Sequence, residues 1–270
     1  MRTRTAAALE RLRALPVRDA AVAAGLLGRR RVPTYWWLRR PNFGDLLGPA
    51  VLHRQLGVRP VWVSREYAGK VLSVGSILFA LQEGDVVWGA GLMGDRRRRP
   101  PAGVEFRAVR GPLTRANLDA EVPEVYGDPA CLLPLFHDAP VATRFEVGVV
   151  PHYADAAQLP TDDPRVAVVD VLRPWPEVVD RIRACEVVLS SSLHGVVVAE
   201  AYGIPAVWMW SPDVGGKGFK FRDYYLGSGR EPMEPARWGD GLAAAADRPA
   251  PPAEHDRDGL LAAWRSSAEA

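Results

Sequence analysis

From Thr34 onward, short apolar runs rich in β-branched residues alternate with helix-length stretches, and glycine, proline or small polar residues follow the runs. Runs this short predict strands rather than helices, and strands that hand over to helices predict parallel sheets covered on their faces. The strands expected are Thr34–Leu38, Val61–Val63, Val71–Val74, Asp85–Trp88 and Phe106–Val109. A second set follows at Val147–Val150, Val166–Val169, Val187–Leu189 and Ala206–Trp208. Helices are expected over Leu46–Leu56, Pro112–Leu118, Pro176–Ala184 and His194–Tyr202. The polar, proline-containing segment Asp138–Arg144 separates the sets. The expected fold is therefore α/β, two Rossmann-like domains facing a cleft: residues 1–142, residues 143–226, and a tail over 227–270 packing back on the first domain.

Composition narrows the function classes. The 270 residues are 48% hydrophobic and 24% charged, which excludes wholesale disorder and a disulfide-stapled miniature. Thirty-four basic residues against 32 acidic ones leave a net charge of +2, without the footprint of a dedicated nucleic-acid binder. Cys131 and Cys185 read as buried, reduced thiols, no metal-ligand spacing is present, and no apolar run is long enough to span a bilayer. A cytoplasmic protein is expected. Residues 1–31 read as an amphipathic, arginine-rich helix, either a solvated face or a peripheral contact with an anionic inner-membrane surface.

Ligands of open α/β sheets gather at the carboxyl ends of the strands, so the residues after each run are the candidates. Asn42, Gly44 and Asp45 follow the first run, with Asp45 read either as a helix cap or as a cleft carboxylate. Gly89 and Gly91 follow another, but no full dinucleotide fingerprint accompanies them. Arg110 sits at a strand-to-helix junction where a guanidinium clamps a carboxylate or phosphate; Asp128 lies in a Gly-Asp-Pro turn, and His152 follows a later strand. Ser190, Ser191 and Ser192 end a strand, and the helix that follows opens with His194, joining anion-binding groups to an imidazole able to give and take a proton. Only three lysines accompany the arginines, and two of them, Lys217 and Lys220, share one glycine-rich, aromatic segment that reads as a mobile anion-binding flap.

These segments, in order, are NFGD at 42–45, GAG at 89–91, VRGPLT at 109–114, GDPA at 127–130, PHY at 151–153, SSSLHGVVVAEAYGIP at 190–205 and KFRDYY at 220–225. The arrangement resembles the polysaccharide pyruvyl transferase family over roughly residues 34–229, and is closest to the branch that places ketal pyruvate on bacterial exopolysaccharides. The resemblance implies a fold similar to GT-B glycosyltransferases, phosphoenolpyruvate as co-substrate, no cofactor, no metal, and a glycan or sugar acceptor, free or lipid-linked. It departs at one point: where many members carry Arg before the Leu-His pair, this chain has Ser192, so Arg110, Lys217 or Lys220 must hold the donor. His194 is then expected as general acid/base and Asp45 or Asp128 as base or acceptor ligand. Two other readings stand beside this one: a nucleotide-sugar glycosyltransferase in which Glu200 contacts a ribose, and a catalytically lapsed glycan-binding scaffold.

Overall fold

The computed structural model describes residues 31–40, 42–155, 162–247 and 249–265. The arginine-rich segment expected as a helix over 1–31 lies outside them, apart from Arg31.

Two parallel sheets form the frame. Strands β1 (Arg31–Thr34), β2 (Arg59–Trp62), β3 (Val71–Leu72), β4 (Val86–Trp88) and β5 (Glu105–Ala108) lie in the order β2-β1-β3-β4-β5. Helix α1 (Phe43–Arg54) joins β1 to β2, and α2 (Pro112–Ala116) follows β5. The second sheet holds β6 (Phe145–Val150), β7 (Val166–Val168), β8 (Cys185–Ser190) and β9 (Ala206–Trp208) in the order β7-β6-β8-β9. Helices α3 (Trp175–Arg183) and α4 (Leu193–Ala201) flank β8 in sequence, and α5 (Phe219–Gly227), α6 (Leu242–Ala246) and α7 (Arg257–Arg265) follow β9.

In each sheet the chain moves outward from a central strand and then returns to its other side, from β1 to β2 then β3, and from β6 to β7 then β8. Loops leaving adjacent strands in opposite directions open a crevice at such a reversal. One crevice lies past β1 and β3, the other past β6 and β8, and α1 brings them together. Its first residue, Phe43, donates its amide to the Val171 carbonyl at 2.9 Å and joins the apolar core of the second sheet.

Three differences from expectation shape the site. The first strand is Arg31–Thr34 instead of Thr34–Leu38: its ladder is with β2 and ends at the Thr34–Trp62 pair, and β3 meets it only at Thr34. Trp36 and Trp37 therefore become loop. Helix α1 starts at Phe43, three residues before the expected Leu46, because Asn42 caps it by accepting the Asp45 amide at 3.2 Å. The glycine-rich segment is no flap past residue 218: Phe219–Gly227 is helical, with Phe221 stacked on Trp208 at 4.6 Å and 9°. Phe219 packs into the core of the first sheet, while Phe221, Tyr224 and Tyr225 pack into that of the second. This helix runs across residue 226.

The tail meets the first sheet. The Trp88 indole donates to the Leu260 carbonyl at 2.8 Å, and the Trp88 and Trp264 rings lie 5.2 Å apart. Cys131 and Cys185 are free and buried, and burial pushes the Cys131 thiol up to about 12. Among the described residues, no helix is long and apolar enough to cross a membrane, and no group of three or more His, Cys, Asp or Glu is placed to hold a metal ion.

Candidate functional site

The two crevices meet in one cavity of about 160 Å³, below the ~300–1,000 Å³ of a typical drug-sized pocket. Trp37, Asn42 and Asp45 reach it from the segment after β1, and Ser76 from the loop after β3. His152 and Tyr153 come from the loop after β6, and Ser192 and His194 from the junction of β8 with α4. Lys220 enters from α5.

His194 lies between two carboxylates. Its Nε2 is 3.5 Å from Asp128 Oδ2, and neither atom has a hydrogen-bond partner among the described residues. Asp128 is fully buried; its other oxygen accepts the Ala130 amide at 3.0 Å, fixing the carboxylate beneath the imidazole. The sequence suggests Asp128 as a base or acceptor ligand, but it does not line the cavity, and the cavity residue it approaches is His194. The far edge of the imidazole lies on Gly44, where a Cβ would fall 2.2 Å from Nδ1, so only glycine admits the ring. Asp45, one residue on, is bound by Asn42 Nδ2 at 2.5 Å, and burial raises its carboxyl above the ordinary range against the opposing pull of His194 and Lys220.

The three serines divide their work. Ser190 donates to the Val150 and Ser192 carbonyls and sits against Gly195, where a Cβ would fall 2.2 Å from its hydroxyl oxygen, so it holds the strand-to-helix turn. Ser191 donates to Asp155 at 2.7 Å and accepts the His152 amide at 2.9 Å, positioning the histidine loop. Only Ser192 lines the cavity, and its hydroxyl makes no capping bond. The first amides of α4 have no intrahelical acceptor and carry the positive end of the helix dipole.

The candidate cations separate clearly. Arg110 is fully buried and each of its three nitrogens is engaged: Nε by Asp223 at 3.0 Å, Nη1 by Ser76 at 2.7 Å and Nη2 by the Leu92 carbonyl at 2.6 Å. Gly91 lies outside the cavity and leaves room for that guanidinium, since a Cβ there would stand 2.4 Å from Cζ. Lys217 is exposed, at φ 46°, and does not reach the cavity. Lys220 is 7% exposed and lines the cavity; among the described residues it has no hydrogen-bond or ion-pair partner, and its ammonium lies 5.5 Å from the Phe221 ring. Burial, then the nearby Arg110 charge, pushes it down to about 8. Burial, then the Lys220 charge, lowers His152 to about 4, which keeps that imidazole neutral at pH 7.

Asp223 ties the helix that carries Lys220 to the first sheet's side. It sits one turn along α5 and accepts from Arg110, from the Thr114 amide at 2.8 Å and from the Thr114 hydroxyl at 2.6 Å. Glu200 is committed elsewhere, to Arg230 at 2.7 Å and to the Tyr224 hydroxyl at 2.6 Å, which removes the residue proposed for a ribose. Sequence reasoning missed Trp37, Phe79 and Met93 as cavity residues. Paired tryptophans directly after the first strand were a usable signal, whereas nothing local marks Phe79 or Met93.

A solved structure of an uncharacterised Klebsiella pneumoniae protein aligns with 77% of this chain and 91% of its own, at 12% identity and a TM-score of 0.40. An uncharacterised protein of Acanthamoeba polyphaga mimivirus is 29% identical over 67% of this chain and 68% of its own length. The succinoglycan biosynthesis protein ExoV of Rhizobium meliloti is 28% identical over 64% of this chain, which spans 57% of that protein. The family model described as polysaccharide pyruvyl transferase matches residues 101–213, a span that holds Asp128, His152, Ser192 and His194 but neither Asp45 nor Lys220. With the His194 junction inside the matched span, this chain is similar over residues 101–213 to the polysaccharide pyruvyl transferase family.

Proposed function

We propose that the protein moves the enolpyruvyl group of phosphoenolpyruvate onto two hydroxyls of a glycan acceptor, forming a cyclic ketal and releasing phosphate, in a GT-B-like cleft between the sheets. The observation that carries this reading is Lys220: a buried ammonium with no hydrogen-bond or ion-pair partner among the described residues, in the same cavity as His194, which stands over Asp128, and the amino end of α4. A small, highly charged anion compensates such a cation, and the α4 amides with the Ser192 hydroxyl offer it further donors. Lys220 then takes the part of the arginine that many family members carry where this chain has Ser192.

The reaction needs one acid, one base and anion contacts. His194 gives a proton to the methylene carbon of the enol, which becomes the methyl group, as the first sugar hydroxyl bonds to C2 and passes its proton to Asp45. The second hydroxyl then bonds to C2 while the C2–O bond to phosphate breaks; its proton returns to His194, and that on Asp45 leaves with the phosphate. Asp128 stabilises the imidazolium and holds the ring against rotation, as a buried carboxylate does beneath a catalytic histidine. Raised by burial, the Asp45 carboxylate is a stronger base than an exposed aspartate.

Purified protein incubated with phosphoenolpyruvate and β-galactosyl, glucosyl and mannosyl acceptors should release phosphate and yield a pyruvylated product by mass, and His194→Ala should abolish both. No phosphate release with any acceptor, together with thermal stabilisation by uridine or guanosine diphosphate but not by phosphoenolpyruvate, would overturn the reading.

A further inference from the structure

Beside its polar floor the cavity has an aromatic rim that the chemistry above leaves unused. Trp37 and Phe79 meet edge to face at 6.0 Å and 84°, and Tyr35 braces Phe79 from another side at 6.2 Å and 89°. Across the mouth, the Tyr153 ring lies 4.1 Å from that of His152. Phe79 is 41% exposed although it belongs to a braced cluster and borders a cavity holding Asp45 and His194. Arg39 and Arg40 each lie over one of these rings, with guanidinium carbons 5.7 Å from the centre of Trp37 and 5.1 Å from that of Tyr153.

A hexopyranose presents an apolar face of ring C–H bonds, bordered by hydroxyls. An aromatic shelf next to carboxylate and imidazole groups is complementary to both parts. The rim also adjoins Asp45 and His194, so a ring seated on it reaches the reacting groups with its hydroxyl edge. We propose that Trp37 and Phe79, with Tyr153 opposite, form the acceptor subsite, which seats one face of a neutral hexopyranosyl unit and turns the two hydroxyls to be joined toward Asp45 and His194. This rests on the pyruvyl-transfer reading for its chemistry but not for its binding.

Saturation-transfer NMR on the full chain, without donor, separates the two. The probes are methyl β-galactopyranoside, methyl β-glucopyranoside and methyl α-mannopyranoside, with uridine as the competing stacked ligand. Saturation of aromatic protons should pass to ring C–H protons of at least one glycoside, and Phe79→Ala and Trp37→Ala should each abolish the transfer while Phe79→Tyr keeps it. In turnover, each alanine variant should raise the acceptor KM about tenfold and leave the phosphoenolpyruvate KM unchanged. Transfer to uridine alone, or wild-type transfer and wild-type acceptor KM in both alanine variants, would overturn the subsite. Rim-dependent glycoside binding in a protein that releases no phosphate from phosphoenolpyruvate would support the subsite and defeat the chemistry.

Discussion

Lys217 and Lys220 are three residues apart, yet one is exposed on a left-handed turn and the other is enclosed between two cores. Enclosure makes Lys220 costly as a charge and effective as an anion ligand. Lys220→Met should raise the phosphoenolpyruvate KM about a hundredfold, whereas Lys217→Ala should leave it unchanged. With its pKa pushed down to about 8, Lys220 loses its ammonium as pH rises through that value. Wild-type KM for the donor should therefore climb above about pH 8, a rise that the Met variant lacks. The sign for stability is opposite: below pH 8 the buried charge opposes folding, so Lys220→Met should melt higher than wild type. That gap should narrow as pH rises past 8, where the folded chain sheds the proton before the unfolded one does. For Asp128, conversion to Asn keeps the shape but removes the charge beneath His194; kcat should fall about a hundredfold or more, with the KM for phosphoenolpyruvate little changed.

Among the elements, α5 and α7 join parts that the sequence separates. Helix α5 is pinned to the first sheet's side by Asp223 on Arg110 and Thr114, and to the second by Phe221 stacked on Trp208, which holds Lys220 toward the cavity. Helix α7 returns the tail to β4 and β5, with Trp264 against Trp88 and under the Arg107 guanidinium at 5.1 Å. Trp264→Ala should cost about 2 kcal/mol, below the ~3–5 kcal/mol of a fully buried aromatic truncation because the ring is only half-buried, and urea unfolding will measure it. The helix over 219–227 was hidden in the sequence because glycines crowd its start and its aromatic residues show no single apolar face; two opposed cores accept them on different sides. Helix α1 is legible in the sequence, but its first turn is not, because Asn, Gly and Asp at 42–45 are turn-forming residues as well as capping ones.

At the scale of the molecule, the alternation of valine-rich runs with helical stretches determined parallel strands and their sequence, since a short β-branched run followed by a helix has few other ways to bury its residues. It also located His194, Ser192, Asp45 and His152, because ligand-facing residues follow strands in this class of fold and those positions can be read by counting. Which strand lies beside which, and hence which two loops share a crevice, was decided only in three dimensions: β1 and β3, or β6 and β8, are neighbours across a reversal separated by dozens of residues. The division among the cations was decided there as well. An arginine and a lysine carry the same charge in the sequence, but Arg110 spends donors on Asp223, Ser76 and Leu92 while Lys220 has no hydrogen-bond or ion-pair partner among the described residues, and only the partners surrounding a buried charge determine whether it holds the protein together or waits for a ligand.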